Sequence, residues 1–163
     1  MKKTIIAAVM AMLAIVPALA RDRYTTDHTQ LPAAARQVIA ETFGQNKINH
    51  IKIDTDMYGT SYDVVLNNGT ELEFDRQGNL TEVDAGRNCV PDKLVPTAIR
   101  NYVKTNYKNA RITSLKIDHS HYEVELIGGL DLLFDRNGRF LGVDDISYNR
   151  PKCLPYPTEN PFA

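Results

Sequence analysis

The sequence of 163 residues contains no tryptophan, only two cysteines and only one long apolar run, and each scarcity excludes a class of protein. Without tryptophan, the chain lacks the side chain expected to line a sugar site. Beyond the N-terminal residues, no segment has the roughly 20 apolar residues that span a bilayer. The sequence also lacks a Gly-X-Ser-X-Gly nucleophile motif and a glycine-rich phosphate loop. We therefore expect a non-enzymatic protein with no catalytic residue and no cofactor.

The one long apolar run lies at the N-terminus and has the three parts of a secretory signal peptide. Lys2 and Lys3 form a basic start, Ile5–Val16 is apolar, and residues 18–20 place small alanines at a cleavage point after Ala20. The run is shorter than a membrane-spanning helix. We therefore expect export to the periplasm, with no membrane insertion once residues 1–20 are removed.

The charge balance of the exported chain is close to neutral. Removal of residues 1–20, which contain two lysines and no acid, leaves 17 basic and 20 acidic residues, so the formal charge becomes −3. A nucleic-acid-binding protein would need a basic face, so none of its partners is expected to be a nucleic acid. The remaining length suits one domain with a hydrophobic core.

The two cysteines, Cys89 and Cys153, lie 64 residues apart. Because the periplasm is oxidising, the default expectation is a disulfide between them. Closing a loop of this length would stabilise the fold by about 4 kcal/mol in chain-entropy models. The alternative, a reactive thiol, has no activating neighbour in the sequence.

An internal repeat organises the sequence. The N-terminal part of each copy is related by a shift of 64 residues, and the remainder by a shift of 60, with the four-residue difference placed in one turn. Insertions are best tolerated in turns, as expected for a structural repeat. The matched segments are 31–36 with 95–100, 51–54 with 115–118, 62–66 with 122–126, 74–78 with 134–138, and 83–84 with 143–144.

Each copy begins with a predicted helix. Pro32 suits the first helical position, where its missing N–H costs nothing, and Gly44 is a plausible end. Apolar residues at spacings of three and four predict one face packed on a core. These residues are Leu31, Ala35, Val38, Ile39, Thr42 and Phe43 in the first copy, and Val95, Ile99, Tyr102, Val103 and Tyr107 in the second.

Four strands follow each helix, with alternating apolar and polar residues that predict an antiparallel sheet with one face open to water. Hairpin turns are expected at residues 68–69 and 128–129. We predict that Leu66 pairs with Leu72 and Val64 with Phe74, and that the three-residue spacing of Leu80 and Val83 produces a bulge.

The repeated Phe-Asp-Arg-X-Gly segment has too few oxygen ligands for a calcium loop. It predicts instead a tight turn with Gly78 or Gly138 at positive φ. The predicted fold is thus α+β, with two helix-plus-four-strand repeats forming an antiparallel sheet and the helices on one face. The predicted divisions are a signal peptide (1–20), an N-terminal segment (21–30), repeat 1 (31–84), a linker (85–94), repeat 2 (95–148) and a proline-rich tail (149–163).

The outward strand positions form a candidate binding face that is rich in acids. Opposed to these acids are only Lys52 and Lys116, and the predicted register places Asp63 opposite Asp75 and Glu123 opposite Asp135. Like charges across strands repel, and a basic partner or a cation would relieve them. The plainer interpretation is a solvated surface that maintains solubility. The candidate residues are Asp54, Asp63, Glu71, Glu73, Asp118, Glu123, Glu125 and Asp131.

His119 and His121 have the only spacing suited to a metal, although a catalytic zinc site would need a third ligand and an open position. The proline-rich tail is predicted to be an extended strap, held by Cys153 near Cys89. Its alternative role is an aromatic peptide that docks into a partner.

Two segments of the sequence resemble the PepSY-like periplasmic proteins of Gram-negative bacteria. They are Leu-Pro-X-X-X-Arg before the helix and Asn-Gly-Thr-Glu-Leu-Glu-Phe-Asp-Arg-X-Gly at 68–78. The resemblance covers roughly residues 28–148. It implies the fold of the β-lactamase inhibitor protein, with tandem units forming one curved antiparallel sheet. Related domains are linked to peptidase inhibition, and the inhibitor fold binds its target on the open sheet face. No inhibitory residue carries over.

Three functions are consistent with this sequence. The first is a binding module, inhibitor-like in character, that meets a protein or peptide partner, basic in character, on the open sheet face. The second is an envelope structural or stress-related protein without a single tight partner. The third is a metal-dependent hydrolase. Nothing in the sequence predicts the oligomeric state.

Overall fold

The computed structural model describes residues 22–44 and 47–144. The predicted signal peptide, Cys153 and the proline-rich tail lie outside the described residues, so signal cleavage, the disulfide and the strap stay predictions. Cys89 is half-buried and has no disulfide partner within residues 22–44 and 47–144. No helix in the described part of the chain is long and apolar enough to cross a membrane.

Two helices and one nine-stranded antiparallel sheet make up the described chain, and the strands follow one another across the sheet in sequence order. The helices are α1 (Ala33–Thr42) and α2 (Thr97–Asn106), and a 3₁₀ turn spans His28–Gln30. The strands are β1 (Arg23–Thr25), β2 (Ile48–Asp56), β3 (Gly59–Leu66), β4 (Glu71–Phe74), β5 (Leu80–Asp84), β6 (Ile112–Ile117), β7 (His121–Leu126), β8 (Leu130–Asp135) and β9 (Phe140–Asp144).

The sheet has one strand more than the eight predicted. Strand β1 lies within the predicted N-terminal segment and pairs with β2, from Arg23 opposite Ile53 to Thr25 opposite Ile51. Its three residues are too few to show an alternating pattern, and its backbone hydrogen bonds need no particular side chains. Sequence periodicity therefore could not detect it.

Both helices cover the same face of the sheet. Alternate strand residues such as Val64 and Val124 are fully buried in one cluster, together with Ala35 and Ile39 of α1 and Ile99 of α2. The opposite face carries the polar residues of each strand, and neither α1 nor α2 lies on it. The amphipathic patterns of the sequence thus placed the core correctly.

The helix ends agree with the prediction to within one residue. Pro32 precedes α1 as its N-cap, and Phe43 follows it as its C-cap. Gly44 has φ of +83°, and its N–H donates to the Ile39 carbonyl at 3.0 Å, which ends the helix. A glycine in the left-handed conformation is a common helix terminator.

The predicted hairpin register was wrong by two residues. Val64 lies opposite Leu72 and Tyr62 opposite Phe74, whereas the Leu66 N–H donates to the Thr70 carbonyl at 2.8 Å. The loop contains three residues, and Gly69 adopts φ of +82°. The loop is centred on residue 68, one residue before the centre that the predicted pairs imply, so every cross-strand pair moves by two residues. The expected pairs of Asp63 with Asp75 and of Glu123 with Asp135 fail for the same reason.

Bulges interrupt the sheet at corresponding places. The predicted bulge in β5 is confirmed, because Glu73 lies opposite Glu82 while Phe74 lies opposite Leu80. Strands β8 and β9 shift in the same way between Leu133 and Phe134. The register of β2 with β3 shifts between Ile48 and His50, and the register of β6 with β7 shifts between Ile112 and Ser114.

Candidate functional site

The helix-free face presents two rows of side chains that run across the sheet. We call this surface the acidic face. Its first row comprises Tyr24, Lys52, Asp63, Glu73, Glu82, Lys116, Glu123, Leu133 and Gly142. Its second row comprises His50, Val65, Glu71, Asp84, Ser114, Glu125 and Asp131.

Lys52 is surrounded by carboxylates at the N-terminal edge of the first row. Its Nζ lies 3.3 Å from Asp22 Oδ2, 3.4 Å from Asp54 Oδ2 and 3.8 Å from Asp63 Oδ2. The hydrogen bond to Asp22, opposed in part by desolvation, raises the pKa of Lys52. One ammonium therefore serves three acids.

The centre of the first row is an electrostatically unfavourable place for a carboxylate. Asp63 lies opposite Glu73, and Glu73 lies opposite Glu82. Partial desolvation on the sheet surface, followed by repulsion from Glu82 and Asp63, raises the pKa of Glu73. Burial likewise raises the pKa of Asp63, although Lys52 opposes the shift. Lys116, at 3.9 Å from Glu82, is the nearest counter-charge.

The exposure of the acidic side chains changes along the second row. Glu71 is exposed, whereas Asp131 retains only 3% of its accessible surface. Ser114, between Asp84 and Glu125 in the row, is also buried at 8% exposure. One end of this row is therefore open to solvent and the other is covered.

Six of the eight predicted acidic residues lie in these two rows, and Asp54 lies beside them against Lys52. Asp118 falls outside the face because β6 ends at Ile117. It lies in the turn before β7, where its carboxylate accepts a hydrogen bond from the Ser120 N–H at 3.3 Å. That hydrogen bond lowers the pKa of Asp118, although desolvation opposes the shift.

Sequence reasoning missed Glu82 and Asp84 because the bulge in β5 hides their alternation with Val83. Counting outward from Val83 rather than from Leu80 would have placed both acids on the open face. Asp22 was missed because β1 was not predicted.

A groove of about 510 Å³ opens at one end of the acidic face. The β2–β3 turn forms one wall, with Asp56 Oδ1 accepting hydrogen bonds from the N–H groups of Tyr58 and Gly59. The Asp75 turn forms the other wall, and His119 also lines the groove. Met57 and Tyr58, at the tip of the β2–β3 turn, are 82% and 90% exposed.

The two candidate metal ligands occupy the β6–β7 turn and the start of β7. His121 Nδ1 lies 2.9 Å from Ser120 Oγ, and His119 is exposed. Within residues 22–44 and 47–144, no three or more His, Cys, Asp or Glu side chains form a group that could hold a metal ion. The described chain therefore supplies the histidine pair with no third ligand.

The Phe-Asp-Arg-X-Gly turns are structural. Asp75 Oδ1 accepts hydrogen bonds from the N–H groups of Gln77 and Asn79 at 2.8 and 2.9 Å. Burial would raise the pKa of Asp75, but hydrogen bonds from the Asn79 side chain and from the turn backbone lower it overall. Gly78 and Gly138 adopt φ of +86° and +77°, as predicted.

The comparisons with known proteins identify a family. Residues 60–142 match the family model described as "Putative beta-lactamase-inhibitor-like, PepSY-like". No curated protein matches the sequence.

Several solved structures resemble this one over most of the chain. A "putative periplasmic protein of unknown function" from Bacteroides vulgatus is 40% identical, with a TM-score of 0.73; the match covers 77% of this chain and all of that one. A second B. vulgatus protein, of the DUF2874 family, is 38% identical, with a TM-score of 0.71 and coverage of 76% and 97%. A "putative calcium-regulated periplasmic protein" from Bacteroides thetaiotaomicron is 35% identical, with a TM-score of 0.72 and the same coverage.

These similar structures are described as periplasmic, in agreement with the predicted location. With a family model that spans half of its residues and relatives of this identity, the chain belongs to the PepSY-like, β-lactamase-inhibitor-like family of periplasmic proteins.

Proposed function

We propose that this protein is a non-enzymatic binding module of the periplasm, which meets a protein or peptide of basic character on its acidic face. The observation that supports this proposal is the run of Asp63, Glu73 and Glu82 across adjacent strands. Like charges directly opposite one another destabilise a sheet. A cationic partner would relieve that repulsion, and the negative charge of the face would attract it.

The acidic face also offers apolar contacts. Tyr24 is 64% exposed beside Lys52, and Val65 and Leu133 are half-buried among the acids. Interfaces draw much of their affinity from a few aromatic and apolar contacts within a polar surround. A partner with basic and apolar side chains in alternation would match this surface, as an extended peptide would.

We infer further that the sheet is built from two copies of one unit. We call α1 with β2–β5 the first unit and α2 with β6–β9 the second unit. The bulges support this inference, because those in the first strands differ by 64 residues and those in the last strands by 60. These are the two shifts of the sequence repeat.

The binding proposal is tested by charge reversal on the acidic face. We would immobilise the exported protein, expose it to an envelope extract, and identify captured proteins by mass spectrometry. The face variant combines Glu71→Lys with Glu73→Lys, both exposed. The control variant combines Glu41→Lys with Asp92→Lys, which change the net charge equally at exposed positions outside the sheet. Each capture is run with calcium and with a chelator, because one similar structure is described as calcium-regulated.

We expect one protein to be captured by the parent and the control variant and lost from the face variant. The purified protein should then bind with an affinity that falls as salt rises, because the contact is electrostatic. If parent and face variant return the same proteins, the acidic face is not the binding site. A parent that captures nothing specific would favour an envelope protein without a single tight partner.

A further inference from the structure

A pocket of about 540 Å³ opens beside α2 in the second unit, and none of its lining residues belongs to the acidic face. Its walls are α2, the chain before that helix and the chain that leads into β6. We call it the basic pocket, because Arg100, Lys104 and Arg111 line it against one acid, Asp92. Its volume is in the range of pockets that enclose small organic molecules. The excess of cations is notable in a chain that is acidic overall.

The cations of the basic pocket are poorly balanced by the acids around them. Within residues 22–44 and 47–144, Lys104 and Arg111 form no ion pair. Arg100 Nη1 reaches Asp92 Oδ2 only at 3.6 Å, and the Asp92 side chain is 86% exposed, so this contact is weak. Lys104 lies in the last turn of α2, where a cation offsets the helix dipole. That dipole does not account for Arg100, more than a turn earlier, or for Arg111, beyond the helix.

The Arg100 guanidinium carries a donor that has no acceptor in the described part of the chain. Its Nη2 donates to Thr97 Oγ1 at 3.0 Å, but its Nε is buried and has no hydrogen-bond partner there. A buried donor that is left unpaired costs free energy. The N–H groups of arginine form a fork that matches two oxygens of one carboxylate or phosphate. An oxyanion in the pocket would therefore satisfy Arg100 better than the exposed Asp92 does.

The first unit has a corresponding corner with almost no free space. At the 64-residue shift of the sequence repeat, Arg36 and Lys47 correspond to Arg100 and Arg111. The space that Arg36 lines together with His28 holds only about 10 Å³. The two corners thus share a pair of cations, whereas only the corner of the second unit has room for a ligand. Arg36 and Lys47 therefore provide a matched control for the basic pocket.

We propose that the basic pocket binds a small organic oxyanion with two negative charges, a phosphate monoester or a dicarboxylate, whose oxygens are held by Arg100, Lys104 and Arg111. Three cations against one Asp92 leave two positive charges (3 − 1), which favours a dianion over a monoanion. The half-buried Tyr107 supplies a ring against which the organic part packs. The basic pocket and the acidic face share no residue, so failure of either proposal leaves the other standing.

Calorimetric titration of the exported protein tests the site. The probes are phenyl phosphate, succinate, inorganic phosphate and the monoanion benzoate. We expect one saturable site per chain, with a dianionic organic probe bound more tightly than inorganic phosphate and at least about tenfold more tightly than benzoate. Tighter binding of phenyl phosphate would identify a phosphate monoester as the ligand class, and tighter binding of succinate a dicarboxylate. Because Cys89 borders the pocket, each titration is run with and without a reducing agent, and binding in either state supports the site.

The pocket variant combines Arg100→Gln with Arg111→Gln, and we expect it to weaken binding at least about tenfold, because two charge-assisted contacts are lost. The matched control, Arg36→Gln with Lys47→Gln, removes the same charge from the first unit and should leave the affinity unchanged. All four side chains are exposed or half-exposed, so both variants should fold, which circular dichroism checks. Lys104→Gln, at an exposed position, is a second variant that should weaken binding several-fold.

Three results would overturn the proposal. The first is that no probe binds saturably in either redox state. The second is that the pocket variant and its control weaken binding equally, because the protein would then respond only to net charge. The third is saturable binding that survives both the pocket variant and Lys104→Gln, because the anion would then lie elsewhere on the chain.

Discussion

The first and second units have the same order of elements, yet they differ in what they place on each side of the sheet. On the helix side, the second unit contains an aromatic cluster. The Tyr102 ring stacks on Phe140 with centroids 4.7 Å apart, and it meets the edge of Phe134 at 5.3 Å. The corresponding positions in the first unit are Val38, Leu80 and Phe74. The second unit is therefore held by ring contacts that the first unit lacks.

On the open side of the sheet, the two units differ in charge. The first unit has Asp63, Glu73 and Glu82 across its first row, whereas the second unit has Glu123, Leu133 and Gly142. The first unit thus carries repelling charges along this row, whereas the second unit has uncharged residues at two of the three corresponding positions. Positions that sacrifice stability are expected where function requires them, so the proposed binding function predicts that a partner binds the first unit.

The largest expected effect concerns the aromatic cluster. Phe74 and Phe134 are both fully buried. Replacing either by alanine should destabilise the protein by about 3–5 kcal/mol. Phe134→Ala should cost more, by about 0.5–1.5 kcal/mol, because it also removes edge-to-face ring contacts. Urea unfolding followed by circular dichroism measures the difference. An equal or larger loss for Phe74→Ala would show that the ring contacts contribute nothing beyond burial.

The next effect should be similar in the two units. A Cβ on Gly78 would lie 2.7 Å from Pro32 Cβ and 2.9 Å from the Ala35 nitrogen, and one on Gly138 would lie 2.6 Å from Ala98 Cβ. Gly78→Ala and Gly138→Ala should each destabilise the fold by about 2–4 kcal/mol, through the left-handed backbone and the clash with the helix.

The matched control for these substitutions is Gly69→Ala. Gly69 has nearly the same φ as Gly78, but a Cβ there would meet nothing within 4 Å. Gly69→Ala should destabilise the fold only through the strain of its left-handed backbone, by about 1–2 kcal/mol. Thermal unfolding of all three variants separates the terms. If Gly69→Ala proves as harmful as Gly78→Ala, the helix contact is not what requires glycine.

The smallest effect tests the charge difference. Glu73→Gln should stabilise the protein at pH 7 by a few tenths of a kcal/mol, because screening by solvent limits the repulsion that it relieves. The pKa of Glu73 is raised in the folded state, so the native protein binds the extra proton more tightly than the unfolded chain does. Its contribution to stability therefore falls as the pH rises from the ordinary glutamate range through the raised pKa.

The gain from Glu73→Gln should accordingly be full at pH 7 and shrink as the pH falls through the raised pKa toward 4. Leu133→Glu makes the reciprocal change in the second unit and should destabilise at pH 7. Unfolding curves at several pH values measure both. A Glu73→Gln gain that does not vary with pH would attribute the effect to packing rather than to charge.

Several features of this fold follow directly from local sequence. The apolar stripe of α1, the alternation in β3 and the glycine at residue 78 each reflect a short-range rule of backbone geometry or burial. The three-residue spacing of Leu80 and Val83 was enough to predict the bulge that the structure confirms. The acids of the candidate face followed from the same alternation, since outward positions are known once inward ones are.

Other features required the sheet itself. Nothing in the sequence of residues 23–25 distinguishes β1 from a loop, because its partner is the distant edge of β2. The register of the β3–β4 hairpin depends on a loop centred on residue 68 rather than on residue 69, and a shift of this kind changes every cross-strand pair. Asp118 left the face because its strand ended one residue earlier.

The periplasmic location, the helix and strand types and the acidic character of the open face could all be predicted from the amino-acid sequence, because each depends on local pattern and composition. Which charges meet depends on how the strands pair in the folded protein. Pairing brought Glu73 against Glu82 and gathered Asp22, Asp54 and Asp63 around Lys52, since strand order and bulges join residues that are far apart in the chain. It also buried Asp131 while leaving Glu71 exposed, a contrast between repeated positions that no periodicity could reveal.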